Sequence, residues 1–414
     1  MKNSLIFLIS SFLTFSGTLN AEINSEIAQY KSPEILARAN INDGFNLPPM
    51  TFLSNTTPVI NNQGDVAFKL MSIGGENQQG IWLKNSINPD GAIVYTAPDL
   101  RLITDPSLND NSVVAFNLFD DGVTDGIFSY DGSTNQTTQV LKPTDNEISF
   151  YTYPQITTGG QIYFRGTNEE NIRSFYQSDK KLNSVIKEGE YSFGQKTSYL
   201  FKPSINDLGE LSFKRRIGDI GDWDESAADE ILLLRPNGKK FDYLSIARDR
   251  DLDSNSPFLG FYNTTGISKN GMVTFTASLL DSRKAIVLWR DGVLYTLASE
   301  GDNNISEIEM FAPKINNQGI VLFRALDNKG SRGLYLANQK GIERIIGEGD
   351  EVMTDIGLGK ILSNPNYPGF GGEVDINNHG EIVFYCLLVG AKDDKELGSA
   401  VYKISPENFP ENNQ

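Results

Sequence analysis

Seven segments of this 414-residue chain align without gaps over nine residues. That repetition constrains the fold more than any other feature, because a chain that repeats one unit must stack the copies or close them into a ring. The segments are residues 60–68, 108–116, 156–164, 205–213, 267–275, 315–323 and 376–384. Successive starts differ by 48, 48, 49, 62, 48 and 61 residues, and in every copy a branched apolar residue stands eight before a Phe. Gly fills the fifth position in all copies but the second, where Ser112 replaces it.

The unit reads as strands joined by tight turns. Asn-Asn-x-Gly is turn chemistry, since Asn tolerates and Gly prefers a left-handed backbone. The residues that follow alternate apolar and polar, as in Val66, Phe68 and Leu70, which is strand period. A second strand such as 80–83 or 333–336 comes about 11 residues past the Phe, and an Asp-Gly or Asn-Gly turn leads to a third. Four short strands in about 48 residues match a propeller blade. Pro58, Pro106, Pro154, Pro203 and Pro313 stand two before the aligned start. Pro cannot donate to a ladder, so that strand is taken as the inner, channel-lining one. The strands are named A (inner), B, C and D (outer).

The last copy has A, B and C strands and no D, while 34–39 precedes the first A strand and belongs to no complete unit. The fold expected is all-β: a seven-bladed β-propeller of four-stranded blades, closed by the N-terminal strand completing the last blade. Such closure leaves no long exposed edge. The blade plan resembles NHL and related propeller repeats. The core Ile-Asn-Asn-x-Gly-x-Val-x-Phe is similar to that of bacterial secreted tandem-repeat proteins named for an NxxGxxxF repeat. That resemblance covers nearly the whole chain after the leader and implies an architecture, not an activity.

Residues 1–21 read as a secretory signal: Lys2, an apolar run over 5–15, and Ala21 before Glu22. The apolar run is about a dozen residues, short of the roughly 20 that span a bilayer. The expected organisation is a signal peptide over 1–21, one propeller over 22–404 and a short polar tail over 405–414, in a periplasmic or secreted bacterial protein. A net charge of −17 argues against nucleic acid or anionic lipid as the partner. The single Cys and single His exclude a disulfide framework, a Cys/His zinc site and a multi-His metal centre. A monomer is expected, without membrane insertion and without a required cofactor.

His379 sits at a variable turn position and reads as a solvent-exposed turn residue; Cys386, two past an aligned Phe, reads as core. The departures from 48-residue spacing are insertions: 215–229 between B and C of the fourth unit, the stretch around 249–262 before the fifth A strand, and 357–372 before the seventh. In a propeller the B–C and D–A connections emerge on one face. That face is therefore the candidate binding surface for a protein or glycan, with Trp223, Asp224, Phe258, Tyr262, Tyr367 and Phe370 as candidate contacts. D strands end in acids, from Asp99 to Glu348 and Asp350, which suggests either capped turns or a ring of carboxylates. Asp249, Asp251 and Asp253 have the alternating spacing of a calcium loop, though Ser254 and Gly260 depart from it, so calcium is a candidate ligand. The second function class is a carboxylate-dependent, calcium-assisted hydrolase or lyase acting on an extracellular polymer.

Overall fold

The structure is a computed structural model that describes residues 26–143, 148–178, 182–221 and 227–407. The expected signal peptide, and the tail beyond 407, lie outside them. The described elements are β-strands apart from one short 3-10 turn at Asp302–Asn304. They form seven antiparallel sheets, and each aligned repeat supplies the A and B strands of one of them. In the first, Val59–Ile60, Val66–Leu70, Gly80–Lys84 and Ala92–Thr96 lie side by side in chain order. This is a β-propeller with four-stranded blades.

Closure follows from the missing last strand. Glu34–Ala39 pairs antiparallel with Glu396–Ile404, the C strand of the last repeat. Arg38 in that strand is 1% exposed. It donates from Nε and Nη2 to the two carboxylate oxygens of Asp355 at 2.7 and 2.8 Å, and from Nη1 to Asp43 at 2.9 Å. Asp355 lies in the turn of a hairpin, Glu351–Thr354 and Gly357–Ile361, whose second strand pairs with Ile382–Gly390. The 61-residue spacing is thus spent largely on a hairpin that extends the last sheet and clamps the closing strand.

The aligned Phe explains the core. Phe68, Phe116, Phe164, Phe213, Phe275, Phe323 and Phe384 are all buried. Phe68 packs with Trp82 of its own sheet and with Leu36, Val383, Tyr385 and Val401 of the last sheet. The core therefore lies between neighbouring sheets, and loss of one such ring costs about 3–5 kcal/mol.

The Asn-Asn-x-Gly turn does more than reverse the chain. The left-handed residue is the fifth: Gly64, Gly160, Gly209, Gly271, Gly319 and Gly380 have φ between 73 and 81°, and Ser112 takes 59° in the same slot. The Asn at position two is a clasp. Asn61 Oδ1 accepts from the N–H groups of Gln63 and Asp65, both at 2.9 Å. Its Nδ2 donates to the Asn109 carbonyl of the next repeat at 2.9 Å. Asn109 reaches Thr157, Asn206 reaches Ser268, and Asn377 returns to Asn61, at 2.9, 3.0 and 2.9 Å. Thr157 and Ser268, where the motif departs, still accept the N–H four residues on through their hydroxyls, but they have no amide to pass forward.

Candidate functional site

The chain passes along each A strand from the D–A face toward the A–B turn. With a strand period of two, positions one and three before the aligned start point to the same side. All seven residues one before it line a single central cavity of about 470 Å³: Val59, Ser107, Gln155, Ser204, Gly266, Lys314 and Asp375. Five of those three before it do so as well: Thr57, Asp105, Tyr153, Lys202 and Glu373. The position three before lies farther from the turn, so this mouth opens on the face carrying the B–C and D–A connections. At the opposite end the aligned first residues, Ile60 through Ile376, form an apolar waist leading to a smaller space of about 200 Å³ among the clasp asparagines.

The mouth holds a cross-channel ion network. Lys202 Nζ lies 2.6 Å from Glu373 Oε1, and Lys314 Nζ lies 3.1 Å from Glu373 Oε2. These three side chains come from the fourth, sixth and seventh repeats. Burial would raise the Glu373 carboxyl, but the ammonium groups of Lys202 and Lys314 outweigh it and hold it down to about 2. Burial works against the charge on Lys314, yet Glu373 and Asp375 raise its ammonium above the ordinary range. Burial raises the Asp375 carboxyl, against the pull of Lys314, and its Oδ2 accepts the Ile60 N–H at 3.0 Å. On another part of the wall Lys69 Nζ stands 3.4 Å from Asp105.

Tyr153 projects into the same mouth from a strained backbone. Its φ is 54°, in a region that a bulky residue adopts only when its surroundings force it. The strain coincides with a register shift between Thr152 and Gln155. The ring, 37% exposed, has Arg165 Cζ at 4.9 Å and Lys202 Nζ at 5.4 Å from its centroid. Those are cation–π distances.

The residues singled out from sequence fare unevenly. Phe258 and Phe370 are corrected: they are 3% and 1% exposed. Phe258 packs on Phe261 and Phe275, and Phe370 on Phe384, because both lie on long A strands that face the neighbouring sheet. Tyr262 is half-buried, with Lys284 Nζ 5.9 Å from its ring centroid, and Tyr367 is exposed in the loop before Phe370. Neither lines the central cavity. Trp223 and Asp224 lie outside the described residues. The flanks of their insertion are strand: Arg215 ends up fully buried, donating to Glu230 at 2.7 Å.

The calcium-loop reading is corrected as well. Asp249 is buried; one of its carboxylate oxygens accepts the Asp229 N–H and the other the Leu252 N–H at 3.1 Å. Asp253 caps Asn255 N–H at 3.0 Å, and Asp251 is exposed. Among the described residues no group of three or more His, Cys, Asp or Glu side chains is placed to hold a metal ion. The same accounting holds for three more acids at D-strand ends. Glu188 accepts from Arg173 and Leu200 N–H at 2.9 and 2.8 Å, Glu300 from Lys284 and Ile308 at 2.9 and 3.1 Å, and Glu348 from Arg332 and Gly369 at 3.1 and 2.7 Å. Each ties the C strand of its own sheet to the start of the next repeat. His379 stands exposed in its turn, and Cys386 is buried in the core with its thiol pushed up by burial.

The insertions mark loops by their length and do not point to the cavity. Its signal was there: reading down the repeat alignment at one and three before the start gives columns that are mostly polar and unlike one another, beside columns that scarcely change.

Comparison with known proteins agrees on the class, a β-propeller. The chain belongs to a family of unknown function, DUF7453, whose model matches residues 46–352. No curated protein matches the sequence. Among solved structures, an oligogalacturonate lyase from Vibrio parahaemolyticus is similar over 92% of this chain and 99% of its own, at 10% identity and a TM-score of 0.57. An oligogalacturonate lyase in complex with manganese covers 90% of both chains at 11% identity and 0.50. A puromycin-hydrolysing peptidase from Mycobacterium tuberculosis is similar over 84% of this chain and 52% of its own, at 10% identity and 0.52. At such identities the likeness is one of fold.

Proposed function

We propose that this chain is exported and works as a binding module, with a glycan seated in the wide mouth of the central channel. The observation that carries the reading is the convergence of unlike residues from all seven repeats, six of which supply polar side chains, on one cavity of about 470 Å³, a size typical of ligand sites. Tyr153 supplies a ring face for a sugar, and the lysines and carboxylates around it supply hydrogen-bond partners for hydroxyls. A residue held in a strained conformation at a cavity is a functional candidate in its own right. The mouth opens on the face of the insertions, so Tyr367 and Trp223 remain proposed rim contacts. The test is a glycan array probed with the full chain, followed by calorimetry on Tyr153→Ala and Lys202→Ala. Each should weaken binding by about 1–2 kcal/mol; Tyr153→Ala should leave the melting temperature unchanged, while Lys202→Ala, which breaks the ion pair with Glu373, should lower it. Loss confined to Tyr367→Ala would move the site to the outer loops.

A second reading, a hydrolase or lyase on an extracellular polymer, is favoured by Asp375. Burial raises its carboxyl, the direction a general base requires, and the fold is shared with proteins named as oligogalacturonate lyases. Depolymerisation of an acidic polysaccharide, abolished in Asp375→Asn, would establish it. Glu373, held ionised near 2 between two ammonium groups, is poorly matched to proton transfer at neutral pH.

A further inference from the structure

We infer that the channel mouth takes a neutral oligosaccharide and rejects uronate-bearing or sulfated ones; this rests on the glycan reading above and names the class of glycan. Six charged side chains line the cavity, Lys69, Lys202 and Lys314 against Asp105, Glu373 and Asp375. Three ammonium groups thus meet three carboxylates. Glu373 bridges Lys202 and Lys314 at 2.6 and 3.1 Å, and Lys69 faces Asp105 at 3.4 Å. The charges of the lining side chains are compensated within the wall itself; the Arg165 guanidinium against the Tyr153 ring does not line the cavity and donates to the Leu200 carbonyl at 2.9 Å. A ligand carboxylate or sulfate would have to displace Glu373 from its two lysines or remain an uncompensated charge in a half-buried site, and both cost free energy.

A sugar hydroxyl imposes no such choice. It donates and accepts, and the wall offers both partners around its circumference. Each ammonium carries three protons, while the salt bridges of Lys69 and Lys202 each occupy one. Protons are therefore left to donate to hydroxyl oxygens, while Asp105 and Asp375 can accept hydroxyl protons. Tyr153 needs only a ring face to stack on, which an uncharged sugar presents as well as a charged one.

The experiment is an array carrying neutral, uronate-bearing and sulfated oligosaccharides, probed with the full chain and with Glu373→Gln, then calorimetry on the strongest neutral and acidic probes. The wild-type chain should bind neutral probes, with an affinity that holds between about 0.05 and 0.5 M NaCl. Glu373→Gln removes one negative charge from the wall and should tighten binding of the uronate probe by about tenfold or more. Asp105→Asn makes the same change in another repeat and serves if Glu373→Gln melts below the assay temperature. Preference of the wild-type chain for an acidic probe would overturn the inference and leave the glycan reading standing. So would neutral binding with no acidic gain in either folded variant. Binding of no oligosaccharide of any class would remove the glycan reading and this inference together.

Discussion

At the A–B turn end of the channel, four of the seven repeats place an asparagine amide against the next repeat's backbone, at 2.9 to 3.0 Å each time. At the other end, the corresponding positions hold a valine, a serine, a glutamine, another serine, a glycine, a lysine and an aspartate. The same A strands build both ends. Where a side chain must satisfy buried backbone groups of an identical neighbour, one residue type is repeated, since an unmet buried donor or acceptor costs about 1–3 kcal/mol. Facing the cavity, Asp375, Ser107 and Gln155 also accept a neighbouring repeat's N–H, those of Ile60, Ile156 and Ile205, but a carboxylate, a hydroxyl or an amide oxygen can each do so, and each repeat is free to differ. The difference separates the end that holds the repeats together from the end where the proposed ligand site lies.

The largest expected effect tests the turn end. Asn377→Ala removes the acceptor for two backbone N–H groups, those of His379 and Glu381, and the donor to Asn61. It should lower stability by about 2–4 kcal/mol, read as a shift in chemical denaturation. Ligand binding below the new melting temperature should be unchanged. A loss of binding without a loss of stability would reverse the roles assigned to the two ends.

Acid sharpens the comparison next. Glu373 is lowered from 4.5 to about 2, so its contribution is fully present above the unfolded value and is lost as pH falls through the folded one. For a partly exposed group the amount is about 2 kcal/mol. The wild-type chain should therefore lose stability between pH 4.5 and about 2 more steeply than Glu373→Gln. Matching pH profiles would show that the ion network adds nothing to the fold.

Smaller still, Tyr153→Gly should cost no stability, because Gly takes φ of 54° without strain, while binding falls as in Tyr153→Ala. A clear drop in melting temperature would make the tyrosine a structural residue. His379→Gln, at an exposed turn position, should leave folding and binding within about 0.5 kcal/mol of the wild type. Lost binding there would shift the site to the turn end.

The amino-acid sequence determined the repeated unit, its strand order, the buried Phe column and the closing strand, because turn chemistry and apolar alternation are local and recur in register. It also marked Gly at the left-handed turn position, down to Ser112 taking that conformation where Gly is absent. Only the tertiary structure decided what the repeated Asn does beyond its own turn, since its amide partner lies 48 or more residues away. The same holds for the acids at the D-strand ends, which look like free ligands until the next repeat's N–H groups are set against them. Phe258 and Phe370 read as loop aromatics because spacing measures length and not direction; the neighbouring sheet made them core. The cavity belongs to the ring. Lys202, Lys314 and Glu373 come from three repeats, and no local pattern says that they meet. Closure brings them together, and the surroundings it creates then set the charge each can hold.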